Sequence, residues 1–305
     1  MKEEKKKKIL SVGLIVLLTM VCLLGPAETS EMGTMGFAGI QAEASAMVTE
    51  SLKHATFYGK ETYEWADNGR LEFDCGDSYK GGLVYGELDG TGTYTYKNVG
   101  TYKGDFTFGQ RAGEGTFTWK DGSLYKGEWY EDRMDGIGVY RSSDGYKLDG
   151  VFTRNKFTDG FLEFTKSGNT YQYEVANGKF TKQITIKYKN GCRYTGTYSK
   201  TKLTGKGTIS YKNGDKYTGE IQNGKKYGTG TYRWKSGAIY KGSWKKDRMS
   251  GKGTYYYPSK SKGKKLTGTF KNNQPTGTCV YVARSGSKYK TTWSKGKCTK
   301  VERYS

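Results

Sequence analysis

Tyrosine, glycine and a large apolar residue alternate with polar residues in a triplet that returns along most of the chain. In Tyr125-Lys-Gly127-Glu-Trp129 the spacing i, i+2, i+4 puts three residues on one face of an extended strand and Lys126 and Glu128 on the other. A second alternating segment follows, Gly136-Ile-Gly138-Val-Tyr140, of the form Gly-x-Gly-x-aromatic. Tyr79, Tyr102, Tyr125, Leu148, Tyr171, Tyr194, Tyr217 and Tyr240 step by 23 residues. Leu266 comes after 26, because "SKSKGKK" carries three extra residues, and Tyr289 after 23 again. Two strands per step, separated by Gly/Asp/Asn/Lys turns, predict an antiparallel hairpin meander. A degraded copy, "YGKETYEWADNG" from Tyr58 with Glu61 in place of a glycine, starts the array near Phe57.

The expected fold is all-β: an elongated single-layer antiparallel sheet of about ten 23-residue β-hairpin repeats, preceded by an N-terminal signal or anchor helix. At roughly 4.8 Å per strand, ten hairpins would extend about 100 Å. The repeat positions expected to build it are Tyr102, Gly104, Gly113 and Gly115; Tyr125, Gly127, Trp129, Gly136 and Gly138; Tyr217, Gly219, Gly228 and Gly230; and Tyr240, Gly242, Trp244, Gly251 and Gly253. The glycines are expected on the ring face, where the missing side chain lets a neighbouring ring lie over the backbone. In the Tyr171 unit, Lys182 and Ile184 replace the paired glycines, so a kink or joint is expected there.

Composition agrees with strands: the 305 residues include 45 Gly, 27 Tyr and 3 Pro. Residues 1–46 read as a signal peptide or N-terminal anchor plus linker, because Lys5–Lys8 precede an apolar run from Ile9 to Leu24. Small-x-small sites at Ala42-Glu-Ala44 and Ala44-Ser-Ala46 lie far from that run, so cleavage and retention stay open. The body would be exported, at the outer face of the cytoplasmic membrane or cell wall or secreted. Cys75, Cys192, Cys279 and Cys298 are far apart; Cys279–Cys298 is the one pair close enough to propose as a bridge, and unpaired cysteines fit equally. No cysteine or histidine cluster has metal-ligand spacing.

Catalytic readings find little support. A nucleotide-binding Gly-x-Gly should occur once, between a strand and a helix, and here it recurs within strands. Asp132-Arg133-Met134 recurs as Asp247-Arg248-Met249, and His54 has no companion. No cofactor is implied.

Y-x-G-x-W-x(6)-G-x-G-x-aromatic at a 23-residue step, as in "YKGEWYEDRMDGIGVY" (Tyr125–Tyr140) and "YKGSWKKDRMSGKGTY" (Tyr240–Tyr255), resembles the MORN repeat (membrane occupation and recognition nexus) over residues 57–304. The resemblance implies β-hairpin repeats without catalysis that contact proteins, dimerise, or touch membranes and acidic lipids. It leaves a homodimer open.

Charge divides the array. Residues 47–170, acidic to neutral repeats, hold 15 Lys/Arg and 20 Asp/Glu; residues 171–305, basic repeats with an atypical C-terminal cap, hold 31 and 5. A net +26 over the second half suggests a polyanionic partner, anionic lipid headgroups or wall polymer, with Lys225, Lys226, Lys245, Lys246, Lys264 and Lys265 as candidate contacts. Lysine outnumbers arginine there, which suits point-charge attraction and gives no reason to expect specific nucleic-acid binding. A solvated lysine-rich surface fits the same numbers. The protein partner is not identified. The other reading is a carbohydrate or cell-wall-binding module that stacks sugars on its ring row.

Overall fold

A computed structural model describes residues 55–58, 65–200 and 202–304. These residues form 22 strands: β1 (Ala55–Tyr58), β2 (Trp65–Phe73), β3 (Ser78–Val84), β4 (Glu87–Tyr96), β5 (Gly100–Thr107), β6 (Gln110–Trp119), β7 (Leu124–Tyr130), β8 (Arg133–Arg141), β9 (Lys147–Thr153), β10 (Lys156–Lys166) and β11 (Asn169–Ala176). They continue with β12 (Lys179–Lys187), β13 (Arg193–Ser199), β14 (Lys202–Ser210), β15 (Lys216–Gln222), β16 (Lys225–Arg233), β17 (Ile239–Lys245), β18 (Arg248–Tyr256), β19 (Gly263–Lys271), β20 (Gln274–Ala283), β21 (Lys288–Ser294) and β22 (Lys297–Arg303). The expected N-terminal helix and His54 lie outside the described residues.

The chain packs as two units. One runs through Thr165 and takes in Gln172–Thr181; the other comprises Lys166–Tyr171 and Lys182–Ser305. Within each, the described pairings are antiparallel and join sequence neighbours, a single-layer meander.

Each repeat is one hairpin closed by a two-residue turn with both central residues at positive φ, such as Glu131 (47°) and Asp132 (62°) or Lys246 (49°) and Asp247 (68°). That is the turn whose twist matches the strands it joins. Hairpins are joined on the other side by a wider loop; in Trp119–Leu124, Gly122 N–H donates to Trp119 O at 3.0 Å and Trp119 N–H to Ser123 O at 2.8 Å. The sheet therefore has a turn edge and a loop edge.

The paired glycines line up across the strands. Gly127 is partnered by Gly115 on one side and Gly138 on the other, and Gly219 by Gly207 and Gly230. The Tyr125 ring lies over Gly127 and Gly138, and its hydroxyl donates to Glu128 O at 3.0 Å. Tyr217 does the same to Glu220 O at 2.8 Å. Between the pairs Gly127↔Gly138 and Trp129↔Met134, one residue of β7 faces three of β8, a bulge that frees the carbonyl the tyrosine caps.

One expectation needs correction here. The two glycines of Gly-x-Gly do not share a role. The second, Gly138, lies under the ring; the first, Gly136, is the bulge residue at φ 109°, where a side chain would strike Glu128 instead. Gly113, Gly228 and Gly251 repeat the positive φ of Gly136.

The rings bury one another. Tyr79, Tyr94, Tyr102, Tyr125, Tyr217 and Tyr240 are at most 1% exposed. Tyr125 meets Trp129 edge-on at 5.3 Å and Phe152 at 4.9 Å, and Tyr102 meets Trp129 at 5.3 Å. Each buried ring contributes about 2–3 kcal/mol, which is how a sheet without a second layer acquires a core. The proposed Cys279–Cys298 bridge is absent. Cys279 is buried opposite Thr291 and Cys298 is exposed opposite Trp293, and all four cysteines described are free.

Candidate functional site

The repeat positions named from the sequence are structural. Trp129 Nε1 donates to Gly115 O at 3.3 Å and Trp244 Nε1 to Gly230 O at 3.2 Å, so even the indole N–H groups are used within the core. Six of the column tyrosines, Tyr79, Tyr102, Tyr125, Tyr194, Tyr217 and Tyr240, are buried and offer no face to a sugar, whereas Tyr171 and Tyr289 are half-buried. Burial also pushes the Tyr96, Tyr194 and Tyr240 hydroxyls up to about 12.

The repeated Asp-Arg-Met is a staple between hairpins. Asp132 Oδ1 accepts Arg111 N–H at 3.1 Å and Arg111 Nε at 2.9 Å, and Asp132 O accepts the guanidinium at 2.8 Å. Asp247 Oδ1 likewise accepts Lys226 N–H at 2.9 Å. Asn155 and Asn273 take the N–H of Met134 and Met249 in the same way, at 2.7 and 2.8 Å. An acceptor at the second turn residue is the sequence signal for this contact.

Arg111 and Lys226 stand five repeats apart in one position, and both are caged by rings. The Arg111 guanidinium lies 4.4 Å from the Trp129 ring centre and 5.5 Å from Phe117, with 3% of its side chain exposed. Lys226 Nζ lies 5.1 Å from Tyr232 and 5.2 Å from Trp244 and donates to Tyr211 Oη at 3.0 Å, with 11% of its side chain exposed. Removal from water lowers the Lys226 pKa, opposed by the Asp247 and Asp215 charges. Lys226 is thus a core cation and leaves the set of candidate docking residues.

The other candidates separate. Lys225, Lys245 and Lys246 are exposed at the turn edge, whereas Lys264, exposed, and Lys265, half-buried, sit at the loop edge. The structure does not bring these two groups together.

Register assembles a different cationic set in the second unit. On the face opposite the rings, Lys187 pairs with Arg193, Arg193 with Ser210, Ser210 with Lys216, and Lys216 with Arg233. The four cations are exposed, and none takes part in the ion pairs described. Beside them on the loop edge, the Lys212 stem packs 3.1 Å from where a Gly191 side chain would start, and the Lys235 stem 3.4 Å from the corresponding point at Gly214. Lys189, Lys212 and Lys235 thereby form a second column, one per repeat. The acid beside it is engaged: Asp215 accepts Lys235 N–H and Tyr232 O–H, both at 2.8 Å, and the backbone bond first, then the tyrosine, holds its carboxyl below the usual range. The same row in the first unit reads Glu72, Ser78, Thr95, Thr101, Thr118, Leu124, Arg141, Lys147 and Glu163, so it holds one cation pair, Arg141 across from Lys147, and an acid at either end. Sequence reasoning missed this set because it sought runs of adjacent lysines; the signal was present as basic residues recurring at the 23-residue step.

Next to the basic row, on the same face, Thr185, Thr195, Thr208, Thr218 and Thr231 succeed one another across β12–β16. Of these, Thr195, Thr208, Thr218 and Thr231 line an open trough of about 630 Å³. Among the described residues no group of three or more His, Cys, Asp or Glu could hold a metal ion. No helix of the described residues is long and apolar enough to cross a membrane.

The MORN repeat family model matches residues 79–98, 102–124, 125–145, 194–216, 217–239, 240–262 and 267–288. The chain belongs to the MORN-repeat family. It is accordingly a non-enzymatic β-repeat scaffold. The intervals between matched segments include the Tyr171 repeat, where Ile184, buried, stands opposite Gly196 in the place of a ring-covered glycine. Comparison of this MORN chain with curated proteins finds no match. Among solved structures it is similar to the TCP domain of SAS-4 (dCPAP) from Drosophila melanogaster in complex with a proline-rich motif of Ana2, at 14% identity over 63% of this chain and 90% of that one, with a TM-score of 0.23. A catalytically inactive virginiamycin B lyase from Staphylococcus aureus with quinupristin is 10% identical over 82% and 87%, with a TM-score of 0.14. Likenesses at these values carry no argument about function.

Proposed function

We propose that this MORN-repeat protein is a scaffold of the bacterial cell envelope, exported by its N-terminal segment, that docks a polyanion on the second unit. The observation that carries the reading is the unopposed basic row Lys187, Arg193, Lys216 and Arg233, where register places like charges directly across from each other. Such pairs are destabilising. Their juxtaposition outside the ion pairs described supports an anionic occupant better than it supports a solubilising surface, in which alternating signs would serve as well.

The whole chain, free of its signal, should bind anionic vesicles or anionic wall polymer at low salt and release them as salt rises, because exposed charges are screened beyond about 10 Å at 0.1 M. Retention that ignores salt, or equal retention on neutral vesicles, overturns the reading. Localisation is tested by fractionation: recovery of the protein in the cytosol would remove the envelope part of the proposal.

A protein partner has its own support in the first unit. Tyr85, Phe108 and Tyr130 stand at the turn edge with 79%, 80% and 62% of their surface exposed. Aromatic side chains of that kind are enriched where protein surfaces meet. Crosslinking with a photoreactive residue at position 108 should capture a partner or a second copy; capture that is unchanged by Tyr85→Ser/Tyr130→Ser would discount this edge.

A further inference from the structure

We infer that the strip formed by the basic row and the threonine row of the second unit is a track for one linear polymer of phosphodiester-linked polyol, lying across the strands with its phosphates on the cations and its hydroxyls on the threonines. The inference rests on the polyanion reading above and names its site and substrate class.

Four observations carry it. Lys187, Arg193, Lys216 and Arg233 lie in one cross-strand row, interrupted at β14 by Ser210, so over β12–β16 they describe a line of roughly 20 Å at about 4.8 Å per strand. A line suits a chain; a bilayer would present headgroups to a plane and would also be met at the turn edge, by Lys245 and Lys246. Second, the threonines run parallel to this row two residues along each strand, so a hydroxyl-bearing site accompanies each of the four cations and Ser210. Their hydroxyls are only partly used: Thr185 with Thr195 at 3.2 Å and Thr208 with Thr218 at 3.2 Å, each with acceptor capacity left. Third, Thr195, Thr208, Thr218 and Thr231 line an open trough of about 630 Å³ on the face away from the rings, with the cations Lys206 and Lys241 also in its lining. Fourth, the one carboxylate in the trough, Glu220, is occupied by Thr229 N–H at 2.9 Å and Thr229 Oγ1 at 2.6 Å and is balanced across the strands by Lys206. The corresponding row of the first unit has Ser78, Thr95, Thr101 and Thr118 over β3–β6 and a single cation pair, Arg141 across from Lys147, between β8 and β9, with Glu163 next to it in register.

The test uses the full chain without its signal, with poly(glycerol phosphate) and phosphatidylglycerol vesicles as probes. A rail variant, Arg193→Thr/Lys216→Thr/Arg233→Thr, installs the residue type found at Thr95, Thr101 and Thr118 in this row of the first unit. A tip variant, Lys225→Thr/Lys245→Thr/Lys246→Asn, removes the same charge from the turn edge. The rail variant should bind the polymer about tenfold or more weakly and lose about 2 from the slope of log affinity against log salt, since each neutralised phosphate contributes about 0.7–0.9 to that slope. The tip variant should lose less than about threefold at unchanged slope. Thr218→Val/Thr231→Val should weaken polymer binding at unchanged slope. Melting temperature checks that each variant folds; the rail variant should melt no lower than the parent, because a like-charge pair is removed. Equal losses in rail and tip variants, or vesicle binding as tight as polymer binding and dependent on the tips, overturn the track. Failure of the parent to bind either probe at low salt overturns the polyanion reading itself.

Discussion

Replacing Gly138 with alanine puts a methyl group within 2.5 Å of Cζ and Cε2 of Tyr125, a separation that atoms do not adopt, so the ring must leave. The strand is flanked by Gly127 and Gly150 and cannot retreat without breaking the ladder. The displaced ring gives up most of its burial, about 2–3 kcal/mol, edge contacts with Trp129 and Phe152 at about 0.5–1.5 kcal/mol each, and the hydroxyl bond to Glu128 O at about 1 kcal/mol. Some contacts reform elsewhere, so the expected cost is about 3–5 kcal/mol, the range for deleting an aromatic side chain from a core. Gly122→Ala is the control: it has a φ of 87° with nothing within 4 Å, so it bears only backbone strain of about 1–2 kcal/mol. Urea unfolding followed by tryptophan emission reports on this region, because Trp119 and Trp129 both contact the neighbouring Phe117. The decisive comparison is the double mutant. In a Tyr125→Ala background there is no ring to displace, and Gly138→Ala should cost under about 1 kcal/mol, a coupling of about 3 kcal/mol. If Gly138→Ala costs the same in both backgrounds, the account of the glycine as a seat for the ring is wrong.

Three further outcomes follow from the same packing. Lys226→Met should leave stability unchanged or raise it by about 1 kcal/mol, because a buried cation exchanged for an apolar chain of similar length loses its desolvation cost; it should leave polyanion binding untouched, and weakened binding would return Lys226 to the docking set. Asp132→Ala should cost about 3–5 kcal/mol by leaving the Arg111 guanidinium buried and unpaired, whereas Arg111→Met/Asp132→Asn should recover most of that loss in the same unfolding assay. Burial raises the Tyr96, Tyr194 and Tyr240 hydroxyls from 10.0 to about 12. A raised folded pKa means a contribution fully present below pH 10 and lost as pH climbs through 12. Alkaline unfolding should therefore be steep in that interval, and an ultraviolet titration should show these tyrosines ionising with unfolding; ionisation near pH 10 in the folded protein would contradict the buried ring row.

The hairpin array was legible because its causes are local. Alternation at period 2 fixes which side chains share a face, and a column ten deep repeats that information until no other period competes. The paired roles within Gly136-Ile-Gly138 were not legible: both are glycine, and only the bulge in the β7–β8 register sends one toward Glu128 and the other beneath Tyr125. The candidate cations divide for the same reason. Lys225 and Lys226 are neighbours in sequence, but strand parity turns one to solvent and the other into a cage of Tyr211, Tyr217, Tyr232 and Trp244.

By itself the sequence determined the repeat, its strands, its turns and the sign of charge in each half, because those depend on residue identity and short-range spacing. Tertiary structure decided which charges stand together. Lys187, Arg193, Lys216 and Arg233 belong to four different strands, and cross-strand register, a long-range property set by the turns and bulges, joins them into one row.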